Sequence, residues 1–570
     1  MHIRWGIVLT VAIAVGLSGC RSYYGGHRMR AEREIEKILS RQRHEAVDKH
    51  QENVRYPDPA PEEPELEIVP ELGEGPGAEQ DGEAEPGAAA GNEVNGELDI
   101  DPPLVRGDPE DAEVHTLSLR DAMRTATLNN RNFMSQIETV QIAALDAIRQ
   151  RRNFGPIISN TLSYVYSDSR VFSDSDRTTT RGDLTGSLGV RQIVPSGGQI
   201  EATTSGSIRD DWITTDTTYR QDIDVSFRQP LLRGLGYDIA YEDLTQAERN
   251  VVYALRDFEL FRQDFTIDVL RRYYRILQQK QVVENSERTY DQFRFLRERS
   301  EALFDVGRVS ALDMFRAAQQ ELTAHNRLIG EEETLASLLD EFKVFLGLPV
   351  AVAIDVEMIE PEMRPVEIDL PSAVSAALHN RLDLKTTDER RQDAERRVRV
   401  ARNNLLPDLD LEARAGADAT KNSGEPTTYR RQHSLGVTLS LPLDKIPERT
   451  RYKESLITLR RRERGYEERR DEIRVEVMNT YRRLQRLANS IRIQQTNVDL
   501  AERRVRNAHL RFEAGEIGTR DVVEAESDQL DARNELIRAI LDYEVARLQL
   551  KRDIGILFID SDGMWREIEQ

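Results

Sequence analysis

Between Pro407 and Pro442 two stretches of the chain alternate apolar and polar residues. Leu409, Leu411, Ala413, Ala415 and Ala417 interleave with Asp408, Asp410, Glu412, Arg414 and Asp418, and Leu435, Val437, Leu439 and Leu441 with Ser434, Gly436, Thr438 and Ser440. A period of two places all the apolar side chains on one face of a strand. Each run is about 8–11 residues, the length of a tilted membrane strand. A half-buried soluble sandwich would alternate in the same way. Four more runs lie near Ile157–Tyr166, Asp183–Ile193, Gln199–Arg209 and Gln221–Gln229, the middle two joined by the tight turn Pro195-Ser196-Gly197-Gly198. The flanking connections, Ser167–Gly182 and Asp210–Arg220, read as longer loops rich in Asp, Ser and Thr.

Elsewhere the period changes. Ile473, Val477, Leu484, Leu487, Ile491, Val498, Val505 and Phe512 recur at spacings near 3.5 and its multiples, with Glu, Arg and Gln filling much of the remainder. This is the narrow apolar stripe of a coiled-coil-like helix with charged flanks. The pattern predicts helices over Tyr237–Phe304 and Arg449–Phe512. At 1.5 Å per residue each spans roughly 100 Å, far beyond an ordinary globular helix. Shorter helices are expected over Ser118–Asn153, Ser310–Gly347, Pro371–Asn404 and Thr519–Gly555.

The chain repeats itself. Leu119, Ala122, Ala126, Asn129, Ala143, Asn153 and Pro156 recur 251 residues later as Leu370, Ala373, Ala377, Asn380, Ala394, Asn404 and Pro407. Phe304, Gly307, Asp313, Ala317, Leu322, Asn326 and Gly347 recur 208 residues later as Phe512, Gly515, Asp521, Ala525, Leu530, Asn534 and Gly555. Such registers mark an internal duplication. Pro156 and Pro230 are 74 residues apart and Pro407 and Pro442 are 35 apart, so the first copy carries 39 extra residues among its strands. That is the size of one hairpin, and the expectation is six strands per chain. The alternative is an extracellular flap, with four strands in the wall.

Composition sharpens the picture at the N-terminus. The 570 residues carry a net charge of -22, yet 19 acidic side chains and a single arginine lie within Pro57–Glu113. That segment, rich in Pro, Gly and Ala, cannot bury enough apolar surface to offset its ordering entropy and reads as a disordered spacer. The rest is nearly balanced, so no basic footprint for nucleic acid is present. The lone cysteine, Cys20, excludes an intrachain disulfide and a cysteine-based metal cluster. It follows an apolar run, Ile7–Leu17, too short to span a bilayer and preceded by His2 and Arg4. The run closes in Leu17-Ser18-Gly19-Cys20, which resembles the bacterial lipobox. That resemblance implies lipidation of Cys20, including palmitate. Arg21, where inner-membrane retention uses aspartate, implies sorting to the outer membrane. An ordinary signal peptide with a chance cysteine is the alternative.

The duplicated order of helix, strands, very long helix, Gly turn and helix resembles the TolC-like outer membrane efflux proteins. The motifs that carry the resemblance are Leu119-x-x-Ala122, Leu405-Leu406-Pro407-Asp408-Leu409 leading into a strand, Leu346-Gly347-Leu348-Pro349, Phe304-Asp305-Val306-Gly307 and Phe512-Glu513-Ala514-Gly515. The division this implies is a signal peptide (1–20), a charged stretch (21–56), an acidic linker (57–116), a first repeat (117–349), a linker (350–367), a second repeat (368–557) and a tail (558–570). The fold class it implies is mainly α with membrane β: a homotrimeric α-barrel continuous with a transmembrane β-barrel.

The family likeness also implies roles. The two Gly turns would form a periplasmic tip that docks on an adaptor (membrane fusion) protein, which links the duct to an inner-membrane pump. The first turn presents Val306, Gly307, Arg308, Val309 and Ser310; the second presents Ala514, Gly515, Glu516, Ile517, Gly518 and Thr519. Asp521 and Glu524, three apart and so on one helix face, would form an acidic ring at the channel constriction. Asp313 would stand among the closing contacts. The bland reading of all three is exposed helix charge. Ile517 departs from the family pattern, in which a basic residue often closes the gate. No phosphate loop, zinc helix or nucleophile elbow stands in its required context, so neither catalysis nor a cofactor is expected. The function implied is an exit duct for tripartite efflux or type I secretion. The rivals are a pore-less periplasmic coiled-coil lipoprotein and an adhesin-like fibre.

Overall fold

The computed structural model describes residues 115–566 apart from 172–176, 214–215, 360–365, 367, 515 and 561, together with 33, 35–43, 47 and 54. Cys20, the signal and the acidic linker over 57–113 lie outside the described residues.

The chain runs β1 (His115–Leu117), α1 (Leu119–Asn129), α2 (Arg131–Phe154), β2 (Ile157–Val171), β3 (Arg177–Ile193), β4 (Gln199–Asp211), β5 (Thr217–Pro230), α3 (Tyr237–Ala240), α4 (Glu242–Asp305) and α5 (Ala311–Leu346). It continues through β6 (Ile354–Val356), α6 (Leu370–Asn380), α7 (Leu382–Asn403), β7 (Asp408–Asn422), β8 (Thr428–Ser440), α8 (Ile446–Glu513) and α9 (Thr519–Ile554). The two longest helices have 64 and 68 residues, each about 100 Å long at 1.5 Å per residue.

Six strands form one antiparallel sheet in the order β2-β3-β4-β5-β7-β8. The hairpin added to the first copy therefore lies inside the sheet and does not fold away as a flap. Ladder partners sit side by side on one face of a sheet. Ile158, Val190, Ala202, Val225 and Ala415 form one such row. On the other face a hydrophilic row crosses all six strands through Thr161, Ser187, Ser205, Asp222, Asp418 and Arg430. Two stretches read as loops, Ser167–Gly182 and Asp210–Arg220, are largely strand. The ladder continues past the apolar band because backbone pairing does not need an apolar face, and Ser169 and Thr179 bond across it at 3.1 Å. The turn at Ser196 and Gly197 docks where the sheet meets the helices: Gly236 N donates to the Ser196 carbonyl at 3.0 Å.

Below the sheet, α2, α4, α7 and α8 pack as one layer in that order; further down the order becomes α5, α4, α9, α8. The helices expected over Ser118–Asn153 and Pro371–Asn404 are each broken in two. Asn130 and Arg381, 251 residues apart, both take extended backbone, and the Asn130 side chain caps α2 by accepting from Phe133 N at 2.9 Å.

These breaks bend the chain around two related cores. Ala122 and Ala126 are fully buried in the first, and their counterparts Ala373 and Ala377 in the second. In both, a left-handed glycine ends the returning helix: Gly347 at φ 76° and Gly555 at φ 80°. A Cβ on Gly347 would stand 2.3 Å from the Asn129 carbonyl oxygen, and one on Gly555 would stand 2.9 Å from Asn380 Cβ. Gly347→Ala is therefore expected to cost about 2–4 kcal/mol, from the left-handed backbone and the displaced α1 terminus together. Chemical denaturation of the purified variant measures it, and Gly236→Ala, left-handed but with nothing within 4 Å, is the lesser control.

A short parallel pair, β1 with β6, ties the start of the first copy to the segment between copies. The C-terminal tail also packs. Met564 and Trp565 cover the first core, and Arg262 donates to the carbonyls of Ile559 and Asp560 at 3.0 and 2.9 Å. Near the N-terminus, Ile35, Ile38, Leu39 and Val47 lie on α2 and α4, and Val54 lies on the second core.

Candidate channel tip

At the first turn α4 ends at Asp305 and Gly307 reverses the backbone at φ 71°. Arg308 N reaches back to the Leu303 carbonyl at 2.9 Å and Gly307 N to Phe304 at 2.8 Å, the paired bonds of a Schellman cap. Two residues on, Ser310 caps α5. Its hydroxyl accepts from Asp313 N at 3.2 Å and donates to Asp313 Oδ2 at 2.6 Å. The Asp313 carboxylate thus helps start the helix, with Arg316 at 3.4 Å. Val306, Arg308 and Ser310 are exposed and Val309 is half-buried.

The second turn keeps the plan with different residues. Ala514 N donates to the Leu510 carbonyl at 3.1 Å and Glu516 N to Arg511 at 2.9 Å. Glycine replaces serine at the next cap, so the reciprocal bond comes from the other side: Gly518 N donates to Asp521 Oδ2 at 3.2 Å. Glu516 holds Arg511 at 3.1 Å, and Ile517 leans on the core beneath. Gly515 and the Thr519 side chain lie outside the described residues.

Under both turns one apolar cluster joins four helices: Phe293 and Leu296 of α4, Ala324 of α5, Val505 and Phe512 of α8, and Val522 of α9. The two hairpins are one body. Asp521 and Glu524 sit a turn apart near the start of α9, both exposed. Among the described residues no hydrogen bond or ion pair joins either of them to Asp313, which stands on the other hairpin. Glu524 is clasped across the hairpin by Arg504 at 3.0 Å, and the same guanidinium holds Asp528. Exposed pairs of this kind add at most about 1 kcal/mol; their consequence is that part of the acidic charge is neutralised.

A second pair is half-buried. His509 Nε2 lies 2.8 Å from Glu526 Oε1, and Glu526 is 3% exposed with its other oxygen unpartnered. Burial pushes the Glu526 carboxyl up, and the bond and charge of His509 pull it back only in part. A carboxyl whose folded pKa is raised stabilises the fold below its unfolded pKa and loses that contribution as pH rises through the folded value. Glu526→Gln is expected to flatten the fall in stability across that window, which denaturation at a series of pH values measures. None of Arg504, Asp528, His509 and Glu526 is singled out by sequence pattern. The available signal is position: Arg504 lies eleven residues before Gly515, and Glu524 and Asp528 nine and thirteen after it, so the three meet across the hairpin.

Comparison with known proteins places this architecture. The family model described as outer membrane efflux protein matches residues 373–555. The alkaline protease secretion protein AprF of Pseudomonas aeruginosa is 25% identical over 465 residues, covering 78% of this chain and 86% of that one. Among solved structures, the outer-membrane channel OprN superposes with a TM-score of 0.59 at 14% identity, over 77% of this chain and 89% of that one. The outer membrane protein VceC from Vibrio cholerae gives 0.58 at 15%, over 77% and 96%. These solved structures share the fold, and the outer membrane efflux protein model matches the part of it that runs from α6 to α9.

Proposed function

We propose that three copies of this chain assemble into an exit duct of the outer membrane, serving tripartite efflux or type I secretion. The observation that carries the reading is that a single chain is open on both sides at every level. The sheet ends in two edge strands, β2 and β8, whose outer sides have no partner among the described residues. Open strand edges are not tolerated in hydrocarbon, so a sheet with one oily face must close through copies. The helix layers end the same way. Leu312, Phe315, Leu322 and Ile329 form an exposed stripe on α5, and Ile493, Leu500 and Leu510 lie exposed on α8 at the opposite edge. Such stripes are what side-by-side packing of successive protomers would bury.

Six strands from each of three chains give an 18-stranded barrel, and the layers below give a coaxial helical tube. The apolar face of the sheet meets lipid. Tyr164, Tyr166, Tyr219 and Tyr429 stand towards its far end, and Phe154, Tyr237 and Tyr241 stack at the helix end, with ring centroids 4.1 and 4.6 Å apart. Aromatic girdles at both interfaces are the mark of an outer-membrane barrel.

In this reading Cys20 carries the lipid anchor, and the two repeats bounded by residues 117–349 and 368–557 form the body. The turns at residues 306–310 and 514–519 dock on a periplasmic adaptor that couples the duct to an inner-membrane pump. Asp521 and Glu524 line the narrow mouth, with Asp313 in the closing contacts. The secretion role named for AprF and the channel roles named for OprN and CmeC of Campylobacter jejuni support export as the activity.

Reconstitution of the acylated protein in planar bilayers tests the proposal. A trimer with a heat-resistant β signal and stepwise conductance is expected. A monomeric, non-conducting protein would leave the pore-less coiled-coil lipoprotein as the better description.

A further inference from the structure

The seams between subunits carry an inference that rests on the trimeric reading above. The helix layer runs α2, α4, α7, α8. Closing it into a ring sets α8 of one subunit beside α2 of the next, under the meeting of β8 with β2. Helix geometry decides which side chains face outward there. Gln136 of α2, Asn250 of α4, Arg390 of α7 and Arg462 of α8 line one groove, and a groove fed by all four helices lies on the concave side of the layer. Arg451 lines a neighbouring groove on the same side, since Gln246 borders both. Residues two apart on a helix point about 200° apart. Arg449 and Lys453, each two from Arg451, therefore stand on the convex side. Arg152 is sixteen residues from Gln136, about 160° round α2, and does the same. The N-terminal segment agrees. Ile38 and Val47 share a cluster with Val252, two residues from Asn250, and that segment leads to Cys20, whose acyl chains lie outside the tube.

The three cations also share a height. Arg152 is two residues from the end of α2, and Arg449 and Lys453 are three and seven from the start of α8. All lie within about 11 Å of the helix ends that meet the strands. The headgroup layer is about 5–8 Å deep, and long basic side chains reach along it. Phe154 of the aromatic girdle stands two residues beyond Arg152, and Leu441, in phase with the lipid-facing Val437 and Leu439, leads into α8. The three cations are exposed, and among the described residues none makes an ion pair or side-chain hydrogen bond. The carboxylates nearby are engaged or turned away. Asp146 holds Arg149 at 2.9 Å, Glu248 holds Arg151 at 2.7 Å and Asp444 accepts from Ile446 N at 2.9 Å. Glu448 and Glu454, three residues either side of Arg451, turn to the groove face. Like charges gathered at a seam repel, and an anion placed among them relieves the repulsion.

We propose that each seam binds one anionic phospholipid of the periplasmic leaflet. Its phosphodiester is held by Arg449 and Lys453 of one subunit and Arg152 of the partner subunit, and its acyl chains lie along the end of β8 at Leu441. A zwitterionic lipid fits less well, because its own ammonium opposes the three cations.

The acylated trimer, extracted in detergent, is offered phosphatidylglycerol or phosphatidylcholine with the same acyl chains, and native mass spectrometry counts the lipid retained. The wild type should keep up to one phosphatidylglycerol per seam and bind phosphatidylcholine at least about tenfold more weakly. Each cation at an anionic surface is worth about fivefold in affinity. Arg152→Gln, Arg449→Gln and Lys453→Gln together should therefore weaken phosphatidylglycerol binding by about a hundredfold. Arg451→Gln with Arg462→Gln, which removes two cations from the concave face, should leave it within about twofold. Equal retention of the two lipids by a wild-type trimer, or equal loss in the two variants, would overturn the seam site and leave the duct standing. A wild-type chain that never forms a trimer would overturn the seam together with the duct.

Discussion

Replacing Asp383 with alanine should lower the unfolding free energy by about 2–4 kcal/mol, because it removes one of the two carboxylates that hold a buried guanidinium. Arg381 sits in the break between α6 and α7 with its side chain 5% exposed. Asp383 accepts from its Nε at 3.1 Å and Nη2 at 2.8 Å, and Glu476 of α8 accepts from Nη1 at 2.6 Å. Arg469 of α8 donates to the same Asp383 at 2.7 Å and ties in Glu472 at 2.6 Å. Burial alone would raise the Asp383 pKa. The bonds and charges of the two arginines outweigh it, and the carboxyl is held below the ordinary aspartate value. With the folded pKa depressed, the contribution is fully present above the unfolded value of about 3.9 and is lost as pH falls through the folded one. Denaturant unfolding in detergent should separate variant from wild type by the full amount at neutral pH, and the gap should close below that window. A gap that persists unchanged in acid would mean that packing, not charge, holds the bend.

The first repeat makes the same bend with different chemistry, which shows what a sequence register can and cannot convey. Leu384 corresponds to Phe133 at the 251-residue offset. Around Phe133 stand Phe258, Phe261 and Phe265, with centroids 5.6, 5.9 and 5.0 Å away. Where the second copy uses an ion network, the first uses an aromatic cluster. Ala122, Ala126, Ala373 and Ala377 recur in register because close helix approach tolerates only small side chains there. Those positions expose the duplication, while the residues that differ between copies hide how each bend is stabilised.

The same limit applies at the tip. Gly307 and the capping aspartates Asp313 and Asp521 are readable, since a chain reversal has few local solutions. The Arg504 clasp on Glu524 is not, because it depends on how two helices are rotated about each other. A stripe of period near 3.5 sets which face is buried and leaves the partners of flanking charges open. The helix breaks at Asn130 and Arg381 were hidden for another reason. Neither is Gly or Pro, so the apolar period runs through them, and only the packing of α1 and α6 against their cores reveals the bend. Strand positions were the most legible part, because a slip of one residue would turn every apolar side chain to the wrong face. Their ends were not, since a ladder can outrun its apolar band.

That parity makes the membrane face directly testable. Val437 lies in the middle of the apolar run of β8, opposite Leu411, and Thr438 beside it faces the other way, opposite Asp410. Arginine at a lipid-facing position near mid-membrane costs about 2–4 kcal/mol, whereas a lumen-facing one meets water. Val437→Arg should therefore reduce folded trimer in the outer membrane by at least tenfold, and Thr438→Arg should leave it within about twofold. Heat-modifiability on gels of isolated membranes reads both. Two soluble alternatives predict other patterns. A sandwich buried against a second sheet would also reject Val437→Arg, but its fold would survive in water without detergent. A free hairpin with no buried face would accept both substitutions. Loss at 437, tolerance at 438 and dependence on detergent together are met only by a sheet with lipid on one side and water on the other.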